Sequence, residues 1–167
     1  VNYMPAPDDD RAHLGFRYKE GEERKVSEKD PFAAVVFKTI SDPFLGKISI
    51  FKVISGILTK NTSLYNVNND ETEKLGGLFV MRGKEQIEVD EIHAGDIGAT
   101  TKLVGTLTGD TLCDKDHLVE YKKLKHPTPV LYYAIEPKTK GDEEKLTQSL
   151  KKIRDEDPTF TVERNTE

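Results

Sequence analysis

At 167 residues, 35% hydrophobic and 33% charged, the chain can bury one ordinary core, or one core and part of a second. A formal net charge of −5 argues against a surface built as one anion-binding platform, and apolar runs such as 33–37 are far too short to cross a bilayer. A single cysteine, Cys113, rules out an internal disulfide and suits a reducing compartment; no charged start followed by an apolar stretch opens the chain, so the expected location is cytoplasmic, with no membrane partner.

The first thirty residues are poor core material. Pro5 and Pro7 stiffen a short piece, while 8–11 and 19–30 are almost wholly charged or polar, the pattern of a linker or mobile arm. The run Lys19-Glu20-Gly21-Glu22-Glu23-Arg24-Lys25 mixes signs and reads as a solvated loop. From Pro31 to about Tyr121 short stretches rich in Val, Ile, Phe and Thr alternate with turn residues, which predicts an all-β segment. Strands are expected over 32–39, 47–55, 63–66, 74–81, 87–89, 97–103 and 111–113. Between them lie Asp42-Pro43, Gly46, Asn68-Asn69-Asp70, Gly83, Ala94-Gly95-Asp96 and Gly109-Asp110. Stretches such as 50–54 are apolar on both faces, which fits a closed barrel whose outside packs on neighbouring domains.

After His126-Pro127-Thr128-Pro129 the period changes. Residues 130–135 read as a strand; Asp142 is a natural N-cap with Glu143 and Glu144 in the first turn, and Leu146, Leu150 and Ile153 fall at i, i+4 and i+7. Lys151, Lys152 and Arg154 favour the helix C-terminus and Pro158 stops it. Residues 159–163 read as a second strand. A β-α-β unit of this size cannot close a two-layer domain, so a truncated half-domain is expected.

Chemical signatures are sparse. A phosphate-binding P-loop needs Gly-x4-Gly-Lys-Ser/Thr; the nearest string, Gly77 to Gly83-Lys84-Glu85, has one residue too many and a carboxylate where the hydroxyl belongs. Cys113, Asp114, Asp116 and His117 lie close in sequence, with His126 downstream, yet one cysteine cannot supply the paired ligands of structural zinc. Cys113 lacks the histidine partner of a nucleophile, and no carboxylate pair or Ser-His-Asp arrangement stands out. No catalytic, cofactor or metal residue is therefore expected. Lys122-Lys123-Leu124-Lys125-His126 has the charge to meet phosphate but reads better as a solvated connector, and Lys47, Lys52 and Lys60 alternate with apolar residues upstream. Lys47, in a tight glycine-containing loop, is the better RNA candidate.

Three groups of strings resemble elongation factor G, the ribosomal translocation GTPase. Asn2-Tyr3-Met4-Pro5-Ala6-Pro7 resembles the family's exit from its nucleotide domain. Pro31-Phe32-Ala33-Ala34, Ser41-Asp42-Pro43-Phe44-Leu45-Gly46-Lys47, Val53-Ile54-Ser55-Gly56, Ala94-Gly95-Asp96-Ile97 and Thr108-Gly109-Asp110-Thr111-Leu112-Cys113 resemble its domain II. Glu136-Pro137-Lys138-Thr139-Lys140 and Glu156-Asp157-Pro158-Thr159-Phe160 resemble the first half of domain III.

The resemblance implies a mainly β fold: a translation-protein-type β-barrel over 31–125, preceded by a linker over 1–30 and followed by a truncated ferredoxin-like β-α-β (α+β) segment over 126–167. It implies a docking role on small-subunit ribosomal RNA, with Asp42, Pro43, Phe44, Gly46 and Lys47 near that surface, and an interdomain elbow at His126, Pro127 and Pro129. The parent's GTPase, with GTP and magnesium, belongs to a G domain outside this chain; the partners implied are the ribosome and the parent's own G and C-terminal domains. Met81-Arg82-Gly83-Lys84-Glu85-Gln86-Ile87 departs from the family's usual stretch, which is the pattern of a divergent paralogue and leaves a ribosome-protecting or recycling relative open. From another class, a stand-alone barrel binding a protein or small ligand stays an alternative.

Overall fold

The structure, a computed structural model, describes residues 6, 18–21, 25–139 and 141–163, with backbone alone for 18–21. Most of the expected linker, including all of Asn2-Tyr3-Met4-Pro5-Ala6-Pro7 except Ala6, lies outside the described residues. The described chain is mainly β and divides into two compact units, one up to Leu124 and one from Lys125.

In the first unit twelve strands are described: β1 (Tyr18–Gly21), β2 (Ala33–Asp42), β3 (Gly46–Ser55), β4 (Ile57–Thr59), β5 (Ser63–Asn66), β6 (Glu71–Lys74), β7 (Leu78–Arg82), β8 (Glu85–Glu88), β9 (Glu91–His93), β10 (Ile97–Thr101), β11 (Thr111–Cys113) and β12 (Val119–Tyr121). Eight form one antiparallel sheet in the order β6-β5-β11-β2-β3-β10-β7-β8; β4 pairs with β9, and β1 with β12. The β2–β3 ladder shifts register at Ala33/Ala34 and Val36/Lys38. Such bulges bend and coil a sheet, which lets it wrap a core.

The core has two parts because β2 is buried on both sides. Ala34 and Val36 point to a cluster with Phe51, Val53, Leu58, Leu64, Leu78, Ile92, Leu103 and Leu112, to which the β4–β9 pair also contributes. Ala33 and Val35 face the other way, against Ile54, Cys113, Val119 and Tyr121. On the outer side of β2, Val119 and Tyr121 of β12, with Cys113 of β11, cover Ala33 and Val35. Burying a side chain of this size contributes roughly 1.5–3 kcal/mol relative to leaving it in water.

Several expectations are corrected. Tyr18–Gly21, read as linker, adds a strand beside β12. The expected strand 74–81 is two strands: β6 ends at Lys74, and β7 starts at Leu78 after Gly76 and Gly77. In the second unit, α1 (Glu143–Glu156) forms where the 3.6-residue spacing predicts it. Asp142 stands at the N-cap, yet its carboxylate makes no capping bond and pairs instead with the Lys145 ammonium at 2.8 Å. Neither 130–135 nor 159–163 is a strand: among the described residues neither has a ladder partner, and without cross-strand bonds β-rich composition does not make a sheet. Leu131, Tyr133, Leu146, Leu150 and Phe160 line an open groove between these segments and the helix. No residue of α1 is buried.

Candidate functional site

The β2–β3 hairpin carries five of the residues singled out in the sequence. Asp42 closes β2 and pairs with Gly46, which opens β3, so Pro43, Phe44 and Leu45 form a three-residue loop. Asp42 Oδ1 accepts the backbone N–H groups of Leu45 and Phe44, both at 2.8 Å, and these bonds hold its carboxyl below the usual carboxylate range. Pro43 presets its own φ, and Gly46 takes φ +74°, the left-handed position that closes a three-residue hairpin. The turn is thus held at both ends by local chemistry. It leaves Phe44 95% exposed at the tip.

Lys47 is used differently. Its Nζ donates to the Thr106 carbonyl at 2.5 Å and reaches the Val104 carbonyl at 3.4 Å. The lysine thereby fastens the hairpin to the loop between β10 and β11. That loop runs along β2: Gly109 N–H donates to the Val36 carbonyl at 2.7 Å, Val36 N–H to the Asp110 carbonyl at 2.9 Å, and the Thr108 hydroxyl meets that of Thr39 at 3.1 Å. Val104, 86% exposed, and Leu107, 45% exposed, therefore belong to the same end of the unit as the hairpin. The surface there is apolar and tightly held.

Beneath the loop lies a buried polar hub that sequence reasoning missed. Asn66, fully buried, donates through Nδ2 to Thr106 Oγ1 at 3.1 Å and to Asp110 Oδ2 at 3.0 Å. The Thr106 hydroxyl in turn donates to the Glu73 carboxylate. Asp110, 3% exposed, also accepts Leu107 N–H at 2.8 Å, and its other oxygen pairs with Lys123 Nζ at 2.5 Å. Asn68 continues the pattern, accepting Thr111 N–H at 2.7 Å and donating to Glu120 at 3.1 Å. Buried polar atoms are tolerated when they are hydrogen-bonded, and here each bond orders the loop. One sequence signal pointed this way: Asn66 has the parity of Leu64 in β5, so a polar side chain faces inward.

The remaining candidates separate clearly. His126, Pro127 and Pro129 lie in a stretch, 122–137, without helix or strand; the first two are exposed and Pro129 is half-buried. The division between the compact units falls just before them. Within the second unit the hydrogen bonds from Thr159, with a smaller electrostatic contribution from His126, hold the Asp157 carboxyl below its ordinary value. Of the expected basic residues, Lys60 is paired with Glu88 and Asp90, each at 2.9 Å, and Lys123 with Asp110. Lys122 and Lys125 are exposed. The string nearest to a P-loop is strand β7 and the β7–β8 turn, in which Arg82 pairs with Glu85 across Gly83 and Lys84. A flat ladder cannot curl its amides around a phosphate. Cys113 is buried in the second core cluster, Asp114 Oδ1 accepts Asp116 N–H in a local turn, and among the described residues no group of three or more His, Cys, Asp or Glu could hold a metal.

Comparison with known proteins accounts for this arrangement. Residues 31–115 match the family described as elongation factor G domain 2, and residues 126–167 match elongation factor G, domain III. A protein of Thermus thermophilus known from its crystal structure is similar at 31% identity with a TM-score of 0.69, over 82% of this chain and 21% of that one. The chain thus spans about a fifth of that relative's length. Two family matches in the family's own domain order, together with this structural likeness, place the chain in the elongation factor G family.

Proposed function

We propose that this chain is the docking and coupling portion of a ribosomal translocation GTPase that acts in elongation, in the cytoplasm. The observation that carries the reading is the ordered pair of matches, domain 2 over 31–115 and then domain III over 126–167, on one chain. The barrel rests on small-subunit ribosomal RNA through the β2–β3 hairpin, with Phe44 at the tip as an aromatic platform for a nucleotide and Asp42, Pro43 and Gly46 fixing its presentation. Lys47 serves by anchoring the loop beside the hairpin. The stretch with His126, Pro127 and Pro129 is the elbow, where prolines limit the conformations through which movement passes to 126–167. Nucleotide chemistry lies with the parent's G domain, so this chain by itself neither binds nor hydrolyses GTP; tight GTP binding in a titration would overturn that.

Co-sedimentation with purified small ribosomal subunits across a salt series tests docking. Phe44→Ala weakens binding by about tenfold or more, the worth of one base–aromatic stack. Lys47→Ala weakens it too, but leaves the slope of log K against log salt unchanged, because its ammonium is engaged with carbonyls; a direct phosphate contact would lower the slope by about 1. Equal binding by wild type and Phe44→Ala would remove the hairpin tip from the proposal.

A further inference from the structure

We infer that Lys123 and Asp110 form a latch tying the exit of the first unit to the 104–110 loop, so that displacement of the connector is felt as loosening of that loop. Lys123 sits two residues beyond the end of β12 and one before Leu124, the last residue of the unit. Its ammonium reaches back 2.5 Å to Asp110 Oδ1, and its aliphatic stem lies over Gly109, where an added Cβ would meet it at 3.5 Å. Gly109 has φ +94°, a left-handed conformation that glycine adopts without strain.

The two ends of the latch differ in environment. Asp110 is buried with its side chain 4% exposed, whereas the Lys123 side chain is 49% exposed and belongs to a segment in which, among the described residues, no further strand or helix comes before 143. Pulling the connector away moves the lysine readily but leaves a buried carboxylate without its counter-charge. That carboxylate also holds Leu107 N–H and Asn66, and Asn66 holds Thr106, whose carbonyl is fastened to Lys47 of the hairpin. A contiguous path of hydrogen bonds thus runs from the connector to the hairpin, with latched and open arrangements as its two states. The latch does not depend on what the hairpin binds.

Amide hydrogen exchange and backbone relaxation on the 167-residue chain test it without any ribosome. In Lys123→Met, which keeps the stem over Gly109 and removes the charge, the Leu107 and Gly109 amides exchange about tenfold faster or more while the Phe51 amide is unchanged; Lys123→Arg restores protection. In the reverse direction Thr106→Val, which breaks the hub away from the connector, raises the fast-timescale mobility of residues 122–125. Unchanged loop exchange in Lys123→Met, or an unchanged connector in Thr106→Val, would reduce the pair to a local surface contact and overturn the latch.

Discussion

Replacing Asp110 with alanine removes the acceptor on which the loop hub converges. The fully buried Asn66 amide then loses one of its two acceptors, at 3.0 Å, keeping Thr106 Oγ1, and the part-buried Leu107 N–H loses its acceptor at 2.8 Å. A buried donor left unsatisfied costs about 1–3 kcal/mol and a part-buried one less, so the two together cost about 2–4 kcal/mol. Lys123, half in water, recovers its hydration and adds little to that sum. Against a typical total of about 5–15 kcal/mol this is a severe loss, although the strands that form the two core clusters are untouched. Urea unfolding should be followed by near-ultraviolet tyrosine dichroism, to which Tyr121 at 2% exposure contributes, since the chain contains no tryptophan. The midpoint falls and the slope m is unchanged. Asn66→Ala in the same background adds less than it does in wild type, because the two residues share a bond. A loss below about 1 kcal/mol for Asp110→Ala would refute the reasoning that this carboxylate carries the hub.

Three other outcomes are expected. Gly46→Ala costs about 1–2 kcal/mol through left-handed strain alone, because nothing lies within 4 Å of the added Cβ, and Gly46→Asn recovers part of it; thermal midpoints compare the three, and equal midpoints contradict the turn geometry. His93 Nδ1 lies 2.9 Å from Glu28 and its Nε2 3.2 Å from Glu91, and the Glu28 hydrogen bond, opposed by desolvation, raises the imidazole pKa above 6.5. The stabilisation is therefore full below pH 6.5 and is lost as pH rises through the folded value, so the stability gap between wild type and Glu28→Gln is wider near about pH 6 than near about pH 8.5; a gap that widens with pH would reverse the assignment. Finally, α1, with 14 residues and none buried, melts ahead of the strands, seen as loss of dichroism at 222 nm before the tyrosine signal; coincident transitions would argue against it.

What the sequence showed, and what it hid, follows from the range of each interaction. Strands 63–66 and 111–113 are read at their true limits because turn residues, Asn68-Asn69-Asp70 and Gly109-Asp110, stand close by. The helix is legible because Leu146, Leu150 and Ile153 repeat at its own period. The short strands β4 and β9 are not: each has three residues and exists only by pairing with the other, 32 to 36 positions away. β6, Glu-Thr-Glu-Lys, has no apolar signal at all, since its one inward side chain is Glu73, satisfied by Thr106. The hairpin of the candidate site was visible as a turn, whereas the job of Lys47 was not. Its acceptors lie 57 and 59 residues further along the chain.

The sheet's two outer strands have a bearing on solubility. β6 and β8, which end the eight-stranded sheet, read Glu-Thr-Glu-Lys and Glu-Gln-Ile-Glu, and charge along an exposed edge deters a second chain from adding itself there. Residues 130–135, Val-Leu-Tyr-Tyr-Ala-Ile, have no such protection within their span: Val130 is 91% and Tyr133 81% exposed, and the run contains neither charge nor proline. Pro129 before it, and Glu136 with Pro137 after it, stand as gatekeepers at its two ends. In concentrated solution, any self-association of this chain is expected at this six-residue run and not at the charged ends of the sheet.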